Sequence, residues 1–121
     1  MDILTYKLIH FVGILLTFTS LGALAACASL APDSKPGIKK ASSALHGIGL
    51  LIIIVAGFGI VAKNPEIKGQ EMWLMAKIGI WLFLGGAPVL MAKKPGLAVI
   101  WMLLSVAAGG ASVYLALMKP F

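Results

Sequence analysis

The chain lacks arginine, has one cysteine and carries only four acidic residues in 121 positions. The single cysteine, Cys27, excludes a disulfide within the chain and any metal site built from several thiolates. Charged residues make up 12% of the chain and hydrophobic residues 60%, whereas about 25% of an average soluble domain is charged. This shortage of charge excludes an ordinary water-soluble globular domain.

Acidic residues are also missing from every long apolar stretch. Proton-coupled exporters of similar size use a carboxylate inside the membrane, so the sequence does not predict such a transporter. No CxxC, HExxH or P-loop motif is present, and hydrolysis and phosphoryl transfer are not expected. The net charge of +6 comes from ten lysines, almost all of which flank apolar stretches. Lysine in that position anchors helix ends among lipid headgroups, so we expect no nucleic acid partner.

Four apolar stretches fill nearly all of the chain, at residues 3–30, 41–62, 72–91 and 96–118. A helix needs about 20 residues to cross a hydrocarbon core of about 30 Å. Lipid offers the backbone no hydrogen-bond partner, so stretches inside it must be helical. The sequence therefore predicts an all-α integral membrane protein, in which residues 1–121 form one transmembrane domain in the lipid bilayer.

The three connections between these spans are short and contain helix breakers, among them Pro32, Asn64 and Pro95. Short connections force neighbouring helices to be antiparallel. The sequence therefore predicts an antiparallel bundle of four transmembrane helices. Both chain termini and the Asn64 connection are expected at one end of this bundle, here called the termini end.

The opposite end, here called the lysine end, holds the other two connections. It carries five lysines against one acid, Asp33. The lysines are Lys35, Lys39, Lys40, Lys93 and Lys94. Lysine and arginine are enriched on the cytoplasmic side of membrane proteins. We therefore expect the lysine end in the cytoplasm and both termini outside it, in the inner membrane of a bacterium.

Small residues four positions apart let transmembrane helices approach closely. Three such pairs occur: Gly22 with Ala26, Ala107 with Ala111, and Ala108 with Ser112. We expect these pairs at helix contacts. The sequence is also compatible with a homo-oligomer. The Gly-Gly-Ala-Pro sequence at residues 85–88 predicts a kink in the third helix, because proline removes one helical hydrogen bond.

The Leu-Ala-Ala-Cys sequence that ends at Cys27 resembles the cleavage site of a bacterial lipoprotein signal. Asp2 and the late, single Lys7 make a poor start for such a signal. We therefore interpret residues 3–30 as a permanent first span, in which Cys27 is a small buried residue.

Ionisable side chains within a membrane span cost free energy and are candidate functional residues for that reason. They are His10, His46 and Lys77, with Tyr114 in support. With antiparallel helices and a rise of about 1.5 Å per residue, His46 is expected level with Leu24, roughly 20 Å from His10. One metal ion is therefore not expected to bind both histidines.

The same count of depth places glycines and polar residues level with His10. This layer holds Gly57 and Gly59 of the second helix, Lys77 and Gly79 of the third, and residues 109–114 of the fourth, which include Gly109 and Tyr114. A flat macrocycle needs room that close-packed helices do not otherwise leave, and glycines provide such room. A neutral imidazole is an ordinary axial ligand of haem iron. The layer therefore predicts a haem b or porphyrin site with His10 as the metal ligand.

A plainer interpretation stays open for these residues. The glycines can serve helix packing alone, and His10 can be a hydrogen-bonded histidine near the membrane surface. Lys77 can extend its head to the termini end, or its ammonium can pair with an anion such as a porphyrin propionate. His46, one turn from Ser42 and Ser43, is expected to be a hydrogen-bonded histidine near the opposite surface.

Two short motifs resemble a known family. The Lys-Leu-Ile-His sequence that ends at His10 and the Trp-Leu-Met-Ala-Lys sequence that ends at Lys77 resemble the HemJ-type protoporphyrinogen oxidases and the related CopD-like four-helix membrane proteins. The resemblance implies that His10 binds haem b and that Lys77 is required for catalysis.

The sequence thus predicts a membrane protein that binds haem or a porphyrin and has a redox or tetrapyrrole role. If it is an enzyme, it is a haem-dependent membrane oxidoreductase, with an electron partner in the membrane such as a quinone. The alternative is a structural or assembly subunit of a membrane complex that holds no cofactor.

Overall fold

The computed structural model describes residues 2–29, 36–67 and 71–118, which are almost entirely helical. The helices are α1 (Ile3–Ser29), α2 (Pro36–Lys63), α3 (Met72–Lys93) and α4 (Ala98–Met118), with a single 3₁₀ turn at Pro95–Leu97 before α4. The all-α prediction is confirmed, and the helix bounds differ from the predicted spans by at most five residues. All four helices are long and apolar enough to cross a membrane.

Two prolines occupy helix positions of different kinds. Pro36 and Gly37 were expected in the first connection but begin α2 instead, because a proline at the first helical position lacks only an N–H that would have no partner there. Pro88 lies inside α3, which continues past it to Lys93. Its missing N–H leaves the carbonyl of Leu84 without its helical donor. The kink at this point stays a prediction.

The first turn of α1 is capped by Asp2. Its Oδ1 accepts hydrogen bonds from the hydroxyl of Thr5, at 2.7 Å, and from the backbone N–H of Thr5, at 2.9 Å. Such a cap satisfies an amide that a helix leaves unpaired at its start. The same hydroxyl and amide hold the pKa of Asp2 below its ordinary value of 3.8. The stabilisation by this cap is therefore present above that value and is lost as the pH falls through the lowered pKa.

Helices α1 and α2 form the most extensive helix pair, through two glycines that lie in their contact. A Cβ atom at Gly13 would lie 2.7 Å from Cγ2 of Ile52, and one at Gly49 would lie 2.9 Å from the backbone nitrogen of Thr17. No side chain fits at either position without a shift. Residue numbers rise along α1 as they fall along the facing part of α2, so the two helices are antiparallel.

The buried core lies toward the lysine end, where α1, α3 and the start of α4 meet. It consists of Leu21, Ala25, Ala87, Met91 and Ala98, each 2% exposed or less. Helix α1 contacts each of the other three helices, whereas α2 and α4 have no contact within the described ranges. Helix α3 also contacts each of the other three helices, so α1 and α3 together form the centre of the bundle.

Most large apolar side chains of the helices point outward. Leu117 is 75% exposed, Leu4 71% and Leu15 68%. A water-soluble monomer rarely exposes an apolar surface of this extent. The outer surface is therefore suited to lipid.

The predicted contacts between small residues are mostly wrong. No atom lies within 4 Å of the position that a Cβ of Gly22 would take. Ala26, Ala107 and Ala111 are exposed, and both members of the third pair are half-buried. A spacing of four residues defines a stripe along a helix, but it does not fix the direction in which that stripe faces.

Candidate functional site

His10 lies in α1 near the termini end and is half-buried against α2. Its Nδ1 donates a hydrogen bond of 2.9 Å to the backbone carbonyl of Ile53. A carbonyl oxygen can only accept, so Nδ1 carries the hydrogen and, in the neutral ring, Nε2 presents a lone pair. His10 is therefore hydrogen-bonded, as the plainer interpretation expected, and it keeps one nitrogen for a further ligand.

Gly57 leaves the carbonyl of Ile53 accessible to the imidazole of His10. The carbonyl of Ile53 points along α2 toward the residue four positions later, which is Gly57. A Cβ atom at Gly57 would lie 3.4 Å from Cε1 and 3.6 Å from Nδ1 of His10. The missing side chain therefore leaves the imidazole room to reach the carbonyl, and the structure brings His10 and Gly57 together.

Lys77 of α3 lies within electrostatic range of His10 and is half-buried. The two ionisable residues of this layer thus come from different helices, and the charge of one acts on the other. Both interpretations of Lys77 stay open, because a half-buried stem suits a head that extends to the termini end as well as one that pairs with an anion.

Trp81, one turn after Lys77, is a site residue that the sequence reasoning missed. Its indole Nε1 donates a hydrogen bond of 2.9 Å to the backbone carbonyl of Leu50 in α2. Residues four apart lie on the same side of a helix, so Lys77 and Trp81 turn one face of α3 toward α1 and α2. The available signal was an indole N–H within an apolar span, because such a donor needs an acceptor.

Four of the predicted lining residues do not line a space beside His10. The room at Gly59 is taken by the ring of Tyr6. A Cβ at Gly109 would lie 2.7 Å from Cζ of Phe18, so that room is taken as well. The other two, Gly79 and Tyr114, are exposed on the outer surface. Of the predicted glycines, only Gly57 therefore packs against the imidazole.

His10 lines neither of two cavities that the described residues form. One, of about 270 Å³, is apolar and lies between α1 and α2, with Tyr6 and Val55 in its wall. The other, of about 370 Å³, lies at the lysine end. The described residues include no group of three or more histidine, cysteine or acidic side chains. Among the described residues, His10 is therefore not part of a cluster of side chains that could hold a metal ion by itself.

His46 is more deeply buried than expected and lacks the expected partner. It is 3% exposed, and its Nε2 has no hydrogen-bond partner in the described part of the chain. Thr17 of α1 packs against Gly49, which follows His46 by one turn. His46 therefore lies level with Ser20 rather than with Leu24, because the rise per residue is the same in both helices.

The hydroxyl of Thr17 is a second buried polar group in this helix contact. Thr17 is fully buried, and its Oγ1 also has no partner within the described ranges. The ten residues from His10 to the level of Ser20 span about 15 Å, less than the separation expected from the sequence. The two histidines are still too far apart to bind one metal ion.

Comparison of the chain with protein-family models, with curated proteins and with solved structures found no match. The likeness to the HemJ-type and CopD-like proteins therefore rests on the two motifs that end at His10 and Lys77. These two residues, one from α1 and one from α3, lie within electrostatic range of each other.

Proposed function

We propose that the chain is an integral protein of a bacterial inner membrane whose four helices cross the bilayer. Four apolar helices and an apolar outer surface support this proposal. The lysine end faces the cytoplasm in this arrangement, because lysine is enriched on that side, and both termini lie outside it.

We further propose that the protein binds haem b or a porphyrin through His10, for redox or tetrapyrrole chemistry. The observation that carries this proposal is the hydrogen bond from Nδ1 of His10 to Ile53, which leaves Nε2 for the iron. Metal-binding histidines commonly donate their second ring N–H in this way, which fixes the tautomer and the orientation of the ring. One histidine from the chain would then be sufficient, because a haem would bring other ligands of its iron with it.

Each residue of this site has a separate task in the proposal. The carbonyl of Ile53 orients the ring of His10, and Gly57 keeps that carbonyl accessible. Lys77 pairs its ammonium with a carboxylate such as a propionate, because a poorly solvated charge needs a counter-charge. When bound, haem supplies one-electron redox chemistry, and the electron partner is a membrane component such as a quinone.

The direct test is the visible absorption spectrum of protein made in haem-replete cells and purified in mild detergent. We expect a Soret band in the unaltered protein and in His46→Ala, and no Soret band in His10→Ala. The matched control works because His46 lies about 15 Å further along the helix pair. Equal loss of the band from both substitutions would contradict a single haem held by His10.

A cofactor-free structural or assembly subunit is the second candidate function. It is favoured by the rings of Tyr6 and Phe18, which occupy the room at Gly59 and Gly109 and so assign those glycines to helix packing. The same spectrum separates the two candidates. Protein that reaches the membrane at full yield from haem-replete cells without any Soret band would favour the subunit.

A further inference from the structure

The cavity at the lysine end lies between α1, α2 and α3. It has a volume of about 370 Å³, within the range of ligand sites. Leu24, Pro88 and Met91 form apolar walls, whereas Lys39 and Ser43 line it from the first turns of α2. A ligand with an apolar part and a polar, negatively charged part matches these walls.

Among the described residues, the charged side chains at this end of the bundle are all lysines. Lys40, Lys93 and Lys94 are exposed at the same end of the bundle as Lys39. All acids of the described ranges lie at the termini end, and Asp33 lies outside the described residues. The lysine end therefore attracts anions, with a contribution of about 1 kcal/mol for each lysine near an anionic lipid surface.

The depth of the cavity corresponds to the boundary between headgroups and acyl chains. Lys39 lies in the first turn of α2, and Met91 lies in the last turn of α3. The lining therefore covers only the outermost turns of the bundle, and one turn of helix is about 5 Å long. If the helices cross a bilayer, a lipid phosphate and the first carbons of its acyl chains lie at this level.

We propose that this cavity binds one anionic diacyl phospholipid, with its phosphate among the lysines and its glycerol and first acyl carbons against Leu24, Pro88 and Met91. Basic pockets between transmembrane helices are typical sites for anionic headgroups. The proposal rests on the membrane insertion proposed above and is independent of haem.

The test compares phosphatidylglycerol with phosphatidylcholine of the same acyl chains, added to detergent-purified protein and counted by native mass spectrometry. We expect one tightly held phosphatidylglycerol and no comparable phosphatidylcholine. Lys39→Met should weaken phosphatidylglycerol binding about fivefold, which corresponds to the loss of one lysine contact. Lys63→Met is the matched control, because it removes a lysine at the other end of the same helix and should leave binding unchanged.

A second variant separates the cavity from general attraction to a charged surface. Ser43→Leu keeps every charge but fills part of the cavity, and it should also weaken phosphatidylglycerol binding at least fivefold. Millimolar inorganic phosphate or glycerol phosphate should not displace the lipid, because neither contacts the apolar walls. Displacement by either would identify a site for free phosphate instead and would overturn the proposal.

Two further outcomes would also overturn it. Equal effects of Lys39→Met and Lys63→Met, or full binding in Ser43→Leu, would mean that lipid only surrounds the helices without a defined site. Failure of the proposed membrane insertion looks different, since the chain would then be recovered in the soluble fraction without detergent. Circular dichroism of each variant confirms that lost binding does not reflect lost helix.

Discussion

His10 and Lys77 are ionisable side chains that the sequence places in a common layer, and in the structure they lie within electrostatic range of each other. His10 has a partner in the carbonyl of Ile53, and its orientation is therefore fixed before any ligand arrives. Lys77 lies on the face of α3 that Trp81 turns toward α2. Substituting His10 therefore removes an oriented, hydrogen-bonded ring, whereas substituting Lys77 removes a charge.

Replacing Lys77 by Met keeps an unbranched stem of similar bulk and helix propensity and removes the charge. We expect unchanged protein yield and reduced haem retention, because the anion that the ammonium meets would lose its partner. The loss should be smaller than the about 3–5 kcal/mol of a fully buried pair, since Lys77 is half-buried. The measurement is the ratio of the Soret band to the protein band. Full haem content and full activity in this variant would reduce Lys77 to a membrane anchor.

His46 allows a sharper test of stability than His10, because its Nε2 has no partner. Leu at this position removes a polar atom that pays for desolvation without a hydrogen bond. We expect the free energy of unfolding of His46→Leu to stay the same or to rise by up to about 1–3 kcal/mol. His10→Leu, which removes a formed hydrogen bond, should lower it by about 0.5–1.5 kcal/mol. A marked loss of stability in His46→Leu would show that a bound water or another donor satisfies this imidazole.

At the scale of helices, the contact between α1 and α2 depends on positions where no side chain fits. A Cβ at Gly49 would lie 2.9 Å from the backbone nitrogen of Thr17 and 3.1 Å from the carbonyl oxygen of Gly13, and neither backbone atom can move alone. Gly49→Ala should therefore lower the free energy of unfolding in detergent by about 1–3 kcal/mol. Gly22→Ala is the matched control in the same helix pair, since open space surrounds Gly22. It should be neutral or should stabilise by up to about 1 kcal/mol, and equal effects of the two changes would contradict the close contact.

The sequence predicted depth along the helices better than direction around them. Counting residues from the connections placed Gly57 and Lys77 level with His10. In the structure Gly57 packs against the imidazole, and Lys77 lies within electrostatic range of it. The same count placed Gly59 in that layer, but Gly57 and Gly59 are two residues apart, about 200° around the helix axis. Both cannot face one imidazole, and a count of depth carries no information on which of them does.

Most helix bounds were predictable, because the length of each apolar stretch largely determines where the helix begins and ends. The start of α2 was not predictable in this way. Pro36 was taken as a breaker, and the same residue type is also favoured at the first position of a helix. The hydrogen bond of Trp81 and the deep burial of His46 were missed for a related reason. Which polar atom finds an acceptor depends on the rotation of α3 and α2 about their axes, and hydropathy does not encode that rotation.

For the whole molecule, the asymmetry of lysines predicts the orientation in the membrane. The described ranges hold Lys39, Lys40, Lys93 and Lys94 at the lysine end, without an acid. With the lysine end in the cytoplasm, a reporter fused after Phe121 should be active only when it requires the periplasm. The measurement compares a periplasm-active with a cytoplasm-active fusion. Strong activity of the cytoplasmic reporter alone would invert the proposed topology.

Helix α1 contacts each of the other helices, whereas α2 and α4 do not contact each other within the described ranges. During synthesis α1 emerges from the ribosome first, so every later helix finds a partner already made. The glycine contact with α2 joins neighbours in sequence and closes a short loop, which costs little chain entropy. Helix α4 emerges last and completes the core with Ala98 against residues of α1 and α3. The order of synthesis therefore coincides with the order of packing, and no helix has to wait for a partner that has yet to be translated.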